Sequence, residues 1–222
     1  MTSNHAIIVF FVKSKILLIT LLHADRHNLL SDASSHWHSR SRPFLSDAPP
    51  GLNAWLLDRG SLTRRLRRIC GDRFRVRVLF QGWAHPGRDE ACALKLRPGV
   101  WTWTREVQLF CGEQPWVFAR TLIPSQTLSG RGRRLTRLGA RPLGEVLFAD
   151  PNVWRGPVEI ARIAASQLLH QRAFAGFAEP PDAIWGRRSV FQIDGCPLLV
   201  CEIFLPDLPV SPARCRMDLS SP

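Results

Sequence analysis

The sequence predicts an α+β fold that is built on a mainly antiparallel sheet. Two pairs of strand-like segments are each joined by a tight turn, and helix-like segments lie between the pairs instead of alternating with single strands. The first turn is Gly112-Glu113, of the type II′ kind, and the second is Asp194-Gly195, a strong type I′ signal. The length of 222 residues and the apolar content of 45% suit one domain with flanking segments.

The N-terminal flank carries an apolar run, AIIVFFVKSKILLITLL, that two lysines divide. The run is too interrupted for a membrane span, and its charges do not precede it as they do in a signal peptide. We therefore expect this flank to lie outside the functional domain, with a membrane-surface helix as the alternative. The predicted organisation is an extension at 1–35, a Ser-, Asp- and Pro-rich linker at 36–49, the domain at 50–206 and a loose tail at 207–222.

The first half of the domain begins with helical segments and continues with strands. Ser61 is a suitable N-cap for the second helix. Apolar residues alternate with arginines along RFRVRVLF, which predicts a half-exposed strand, and the irregular stretch after it favours a flap. The predicted elements are helices at 52–57 and 61–69, a strand at 73–80, the excursion at 83–99, and strands at 102–111 and 115–123.

The second half begins with two short helices that the sequence GARP separates. Proline fits the first turn of a helix, so Pro142 predicts the start of the second one. The remaining predicted elements are helices at 127–138 and 142–148, and strands at 158–166, 187–193 and 197–205.

The chain is strongly basic. It has 30 Lys and Arg against 18 Asp and Glu, which gives a formal charge of +12 and a pI near 11.0. Such an excess attracts anions, whether nucleic acid, acidic lipid or a carboxylate metabolite. A solvated basic surface is the interpretation that we favour, because the aromatic residues fall on apolar faces instead of forming a base-stacking surface.

Several kinds of chemistry find no support in the sequence. The motifs GxSxG, HExxH, GxGxxG and the phosphate-binding P-loop are absent. The six cysteines contain no CxxC pair, and we expect reduced thiols in a cytoplasmic protein. The histidines at 23, 27, 36 and 38 lack a carboxylate or cysteine at a useful distance, so no metal site is predicted.

Charged residues nevertheless fall on apolar strand faces. Arg105 shares a face with Trp103 and Val107, and Arg120 lies among Trp116, Phe118 and Leu122. The strand PLLVCEIFLP is apolar on both faces, so its glutamate, Glu202, points into apolar surroundings on either side. A buried carboxylate must be protonated, paired or bound to a ligand.

The turns set the expected cross-strand register. A two-residue turn at 112–113 places Arg105 opposite Arg120, and the turn at 194–195 places Arg187 opposite Glu202. One interpretation is that Glu202 and Arg187 form a salt bridge that only holds the sheet. The other is that inward arginines surround an apolar cavity for an anionic, partly apolar ligand, since like charges directly opposed would repel each other.

Five stretches of the chain resemble the bacterial chorismate lyase family, also called chorismate–pyruvate lyase. They arrive in the family order and cover nearly all of residues 50–206. They are WLLDRGSLTRRL (55–66), WTREVQLFCGEQPWVFARTLIP (103–124), RLGARPLGEVLF (137–148), WGRRSVF (185–191) and GCPLLVCEIFLP (195–206).

The resemblance implies a single domain whose antiparallel sheet and helical flaps enclose a buried ligand cavity. It implies the removal of pyruvate from chorismate to give 4-hydroxybenzoate, the ring precursor of ubiquinone, without a metal or an organic cofactor. The expected protein is a cytoplasmic monomer whose only partner is its substrate, chorismate. No nucleic acid partner and no stable membrane insertion are expected.

The resemblance also implies roles for particular residues. Arg105 would hold the ring carboxylate and Glu202 would hydrogen-bond the ring hydroxyl, as the two catalytic residues. Leu143 would contribute its backbone to substrate binding, and Leu62 stands where the family often has methionine, an apolar change of similar volume. Arg120 is expected to serve the enolpyruvyl carboxylate.

Two other functions stay open at this point. One is a non-catalytic, sensor-like domain of the same fold that binds a small anion, although no DNA-binding helix-turn-helix is found before residue 50. The other is a nucleic-acid or membrane-surface protein, which the charge of +12 suggests.

Overall fold

A single antiparallel sheet organises the protein in the computed structural model, which describes residues 36–39 and 47–210. The sheet has eight strands, in the order β1-β6-β7-β8-β4-β3-β2, with β5 paired to β7. The predictions for the N-terminal flank, and for the tail after residue 210, lie outside the described residues. The strands are β1 (His38–Ser39), β2 (Phe74–Ala84), β3 (Thr102–Cys111), β4 (Gln114–Pro124), β5 (Val153–Arg155), β6 (Glu159–Ala164), β7 (Ala183–Ile193) and β8 (Cys196–Phe204).

Short helices connect the strands, and the α+β class predicted from the sequence is confirmed. Ser61 caps the second helix, its Oγ accepting a hydrogen bond from the backbone N–H of Arg64 at 3.3 Å. The predicted helix at 127–138 is instead a four-residue α-helix followed by a 3-10 helix, Gly130–Arg137. The α-helices are α1 (Asn53–Leu56), α2 (Leu62–Cys70), α3 (Arg88–Ala93), α4 (Ser125–Leu128), α5 (Leu143–Ala149) and α6 (Leu168–Ala173), and a further 3-10 helix spans Gly71–Arg73.

Helices cover both faces of the sheet because the central strands are apolar on both sides. On one face, Leu62 and Leu66 of α2 pack with Val107 and Leu109 of β3. On the other face, residues of α6 pack with β4 and β8, the central residues being Leu169, Phe118, Leu122, Leu199 and Cys201. Alternate residues of one strand therefore contribute to two separate cores.

A bulge near the first turn changes the register that the sequence predicted. Cys111 lies opposite Gln114, as expected, but Leu109 lies opposite Val117, so that Trp116 is the extra residue. Every later pair shifts by one, and Arg120 faces Glu106 while Arg105 faces Thr121. The prediction that Arg105 lies opposite Arg120 is wrong, and the two arginines point to opposite faces of the sheet.

The second hairpin has the predicted register. Ile193 lies opposite Cys196 around the Asp194-Gly195 turn, and Arg187 lies opposite Glu202. Asp194 has φ of 51° and Gly195 has φ of 79°, the left-handed backbone that a type I′ turn requires at both central positions.

Two cysteines form a disulfide, which corrects the prediction of reduced thiols. Cys70 ends α2 and Cys111 ends β3, and their Cα atoms are 5.4 Å apart. Residue 74 pairs with Cys111 at the start of β2, so the short connection after α2 brings the two cysteines together. Among the described residues Cys92, Cys196 and Cys201 remain free.

Residues next to the predicted domain bounds also pack onto the domain. Ala48 and Leu208 are buried in the same core cluster as α2. Residues 38–39, which fall in the predicted linker, pair with β6, and the indole N–H of Trp37 donates to Asp89 Oδ2 at 2.8 Å. Within the described ranges, none of the helices is both long and apolar enough to cross a membrane.

Candidate active site

A pocket lies between the sheet and the helices that cover its first face. Its floor comes from β3, β4, β7 and β8, and its cover comes from α2, α5 and Pro142 before α5. The floor residues are Arg105, Val107, Leu109, Ala119, Thr121, Phe191, Val200 and Glu202, and the covering residues are Leu62, Thr63, Pro142, Leu143, Gly144, Leu147 and Phe148.

Arg105 is a buried cation in the floor of this pocket. Its side chain donates from Nη1 to Gln81 Oε1 at 2.8 Å and from Nη2 to the carbonyl of Arg141 at 3.3 Å, and the residue is 2% exposed. Within the described part of the chain no carboxylate comes within ion-pairing distance of it. Burial lowers the pKa of Arg105, because the protein interior disfavours the charged form. A guanidinium in this situation is suited to an anionic ligand.

Glu202 lies on the same face of the sheet, in β8. Its Oε2 accepts a hydrogen bond from Arg187 Nε at 2.6 Å, so the cross-strand salt bridge considered from the sequence is present. The same carboxylate also lines the pocket, and its side chain keeps 17% exposure. Ion pairing and a place in the pocket wall are therefore combined in one residue, because the pair uses only one of the two carboxylate oxygens.

Arg155 adds a further positive charge near Glu202. Its Nε donates to Ser189 Oγ at 3.1 Å, and its guanidinium carbon lies 5.6 Å and 5.3 Å from the ring centres of Phe148 and Phe191. Burial lowers the pKa of Arg155, and the charge of Glu202 opposes that effect. Within the described ranges this arginine also lacks a carboxylate in ion-pairing distance, so the site carries positive charge in excess.

Helices α2 and α5 meet over the pocket and bring in two more of the predicted residues. Leu62 begins α2 and Leu143 begins α5, which is preceded by Pro142. The helices approach closely at Gly144, where an added Cβ would lie 3.0 Å from Thr63 Oγ1. An ion pair of 2.8 Å between Arg67 and Glu145 joins the same two helices.

Arg120 is the predicted site residue that the structure does not place in the pocket. It points to the opposite face, where its Nε donates to Glu90 Oε1 at 2.8 Å and its Nη1 donates to Glu106. Both carboxylates are buried, with Glu90 at 1% and Glu106 at 2% exposure. The bulge at Trp116 is the physical reason, and the expectation that Arg120 lies beside Arg105 to hold a second substrate carboxylate is not supported.

Several residues in and around the pocket were not singled out from the sequence. Gln81 hydrogen-bonds to Arg105 but lies beyond the predicted end of β2, and the two residues meet because the strand continues to Ala84. Phe148 and Phe191 look like ordinary core aromatics in the sequence, and Thr121 could be assigned to the pocket face only after the bulge was known. No cluster of His, Cys, Asp or Glu within the described ranges is arranged to hold a metal ion.

Comparisons with known proteins show which family the chain resembles in sequence. A family model described as chorismate lyase matches residues 33–210. The probable chorismate pyruvate-lyase of Methylococcus capsulatus (strain Bath) is 50% identical over 70% of this chain and 94% of its own length. The protein of the same name from Pseudomonas aeruginosa (strain UCBPP-PA14) is 42% identical over 74% of this chain and 88% of its own length.

Solved structures of lower similarity include a bacterial effector domain. The effector domain of PhnF from Mycobacterium smegmatis is 16% identical, with a TM-score of 0.48 over 68% of this chain and 91% of that chain. A likeness of this strength carries no functional argument.

Proposed function

The chain belongs to the chorismate lyase family, and from that premise we propose that it eliminates pyruvate from chorismate and releases 4-hydroxybenzoate. The observation that carries the proposal is the shared location of Leu62, Arg105, Leu143 and Glu202, which all line one pocket. That pocket combines apolar walls with a buried guanidinium and a carboxylate, a combination suited to an apolar ring that bears a carboxylate and a hydroxyl group.

The reaction needs few groups from the protein. The bond between the ring carbon and the ether oxygen breaks, and the ring carbon that bears the hydroxyl loses its hydrogen. In a cyclic transition state that hydrogen moves to the terminal CH2 of the departing enolpyruvyl group, which leaves as pyruvate, and the ring becomes aromatic. Atoms and electrons balance without an oxidant, a metal or a separate base. The pocket would act by holding the reactive conformer and by stabilising charge on the leaving group.

Each residue then has a defined task. Arg105 holds the ring carboxylate with its fork of N–H donors, and Glu202 accepts a hydrogen bond from the ring hydroxyl while its Oε2 stays hydrogen-bonded to Arg187. Leu62 and Leu143 pack on the ring, and the backbone of Leu143 adds a polar contact. Positive charge from Arg155 favours the second carboxylate of the substrate at longer range.

The product would serve as the ring precursor of ubiquinone, and we place the reaction in the cytoplasm, with the protein acting as a monomer. These three statements rest on the family resemblance.

A direct assay tests the proposal. Purified full-length protein is mixed with chorismate, and 4-hydroxybenzoate and pyruvate are quantified separately. We expect the two products in equal amounts, at a rate that depends on Arg105. Tight binding of 4-hydroxybenzoate or chorismate without turnover would favour the sensor-like alternative. The absence of both binding and turnover would reject the site.

A further inference from the structure

Arg187 is a fully buried cation behind the pocket, with 0% exposure. Besides the bond to Glu202, its Nη1 donates to the carbonyls of Trp55 at 2.7 Å and of Asp58 at 2.5 Å. Those carbonyls belong to the end of α1 and the turn after it. One guanidinium thus joins a pocket carboxylate in β8 to a backbone segment more than a hundred residues away in sequence.

That backbone segment is adjacent in sequence to part of the pocket cover. The turn after Asp58 leads directly into α2, whose first residues, Leu62 and Thr63, line the pocket. A planar guanidinium fixes the directions of all its donors at once, so moving the segment away from the sheet would withdraw the two carbonyls from Arg187. The position of Glu202 and the position of the cover are therefore set by the same side chain.

The hydrogen bonding of Arg187 is not what stability alone would favour. Its Nη2 is buried and has no hydrogen-bond partner among the described residues. An unmet buried donor costs free energy, and apolar side chains of similar size can commonly replace both members of a buried ion pair without loss of stability. The charge of Arg187 also acts on Arg155 and on Asp58, and Arg155 in turn interacts with Glu202. The arrangement makes physical sense if the orientation of Glu202 matters to a ligand.

We propose that Arg187 is a positioning residue that fixes the carboxylate of Glu202 for recognition of the ring hydroxyl and holds the segment 55–58, which leads into α2 over the pocket, against the sheet. The proposal rests on the proposed function for the identity of the ligand. It deepens that function by assigning hydroxyl selectivity to the pair of Arg187 and Glu202, with Arg187 never touching the ligand.

The experiment compares the binding of 4-hydroxybenzoate with that of benzoate, which lacks the hydroxyl. Dissociation constants are measured by calorimetry for the full chain and for Arg187→Met, Arg187→Lys and Glu202→Gln. We expect wild type to prefer 4-hydroxybenzoate by about tenfold or more, the gain typical of a hydrogen bond to a charged group. Arg187→Met should reduce that preference to about twofold or less, and Arg187→Lys should give an intermediate value.

Arg188→Met is the matched control. Arg188 is the next residue in β7 and is also buried, but it points to the opposite face, where it pairs with Glu159 at 2.7 Å and Asp89 at 3.4 Å. A purely structural effect of losing a buried arginine would appear in both variants. The Arg187 and Glu202 variants should lower the ratio of the two dissociation constants, and Arg188→Met should leave it at the wild-type value.

The outcomes separate clearly. A folded Arg187→Met or Arg187→Lys protein with the wild-type ratio overturns the proposal. If both variants fail to fold while Arg188→Met folds, a purely structural role replaces it. Wild type that discriminates between the two ligands but does not turn over chorismate would reject the proposed lyase activity and leave the positioning role standing. Wild type without discrimination would reject the positioning role.

Discussion

Arg120 lies directly opposite Glu106 across β3 and β4, and the two side chains form an ion pair inside the protein. Glu90 from α3 completes the contact at 2.8 Å, and Arg172 from α6 pairs with Glu106 at 2.5 Å from the solvent side. Burial alone would lower the pKa of Arg120, but the two carboxylates raise it above its ordinary value. Two positive and two negative charges therefore neutralise one another on the face away from the pocket.

Replacing Arg120 with methionine should destabilise the fold strongly. The change would leave two buried carboxylates without their shared partner, a loss of about 3–5 kcal/mol in the free energy of unfolding. Urea denaturation measures it. Arg75→Met is the control, because Arg75 forms an ion pair with Glu113 on the surface and should contribute no more than about 1 kcal/mol. A loss of less than about 1 kcal/mol for Arg120→Met would contradict our interpretation of the ion pairs among Arg120, Glu90 and Glu106.

Arg105→Met should reduce activity without reducing the stability of the fold. Because Arg105 is buried without an ion-pair partner in the described structure, an apolar side chain should leave the free energy of unfolding unchanged or raise it by about 1 kcal/mol. Turnover of chorismate should fall by about 10²–10³-fold, since the ring carboxylate loses its main contact. Steady-state kinetics and urea denaturation on the same preparation test both parts. Wild-type kcat/KM in the variant would exclude Arg105 from the site.

Binding of 4-hydroxybenzoate should stabilise the protein through the same residue. At a ligand concentration of 100 times Kd, the free energy of unfolding should rise by about 2.7 kcal/mol. For a chain of this length that corresponds to a rise in Tm of about 5–10 °C. 4-Hydroxybenzyl alcohol, which lacks the carboxylate, should produce no comparable shift at the same concentration, and neither ligand should shift Arg105→Met. Equal stabilisation by both compounds would contradict carboxylate recognition.

Arg155→Met should weaken the binding of the dianionic substrate more than that of the monoanionic product. Arg155 contributes positive charge at a distance from the ligand, so the effect should be largest where the ligand carries the most negative charge. We expect KM for chorismate to rise about tenfold and Kd for 4-hydroxybenzoate to rise less than threefold, on the order of one weak charge interaction. Equal changes in both constants would point to distortion of the pocket.

The free cysteines should differ sharply in reactivity. Burial raises the pKa of the Cys201 thiol well above its ordinary value, so this group stays protonated at pH 8, whereas Cys92 is exposed. Iodoacetamide should therefore modify Cys92 in the folded protein and reach Cys201 only after unfolding in urea. Mass spectrometry of tryptic peptides gives the result, and modification of both at equal rates would contradict the burial of the Cys201 side chain in the core between β8 and α6.

Local patterns were sufficient to predict both hairpin turns, the Ser61 cap and four residues that line one pocket. The Asp194-Gly195 turn fixed the pairing of Arg187 with Glu202, because turn type and register are linked over a few residues. The first hairpin shows the limit. One bulged residue, Trp116, reverses the faces of all later residues in β4, and Pro115, which cannot donate to the strand ladder, was the only local sign of it.

Longer-range features were beyond reach for a different reason. The disulfide between Cys70 and Cys111 joins residues 41 positions apart, and nothing in the spacing of the cysteines distinguishes that pair from the others. The bonds from Arg187 to the carbonyls of Trp55 and Asp58 likewise depend on how a distant turn folds back over the sheet. Such contacts follow from tertiary packing and leave no periodic signal in the sequence.

The close approach of α2 and α5 at Gly144 has a consequence for timing. Both helices cover the pocket, so we expect their separation and the release of the product, more than bond breaking, to set the rate of the catalytic cycle. A methyl group at Gly144 would meet the Thr63 hydroxyl and hold the helices a few tenths of an ångström apart. The glycine therefore allows α2 and α5 to pack closely over the pocket.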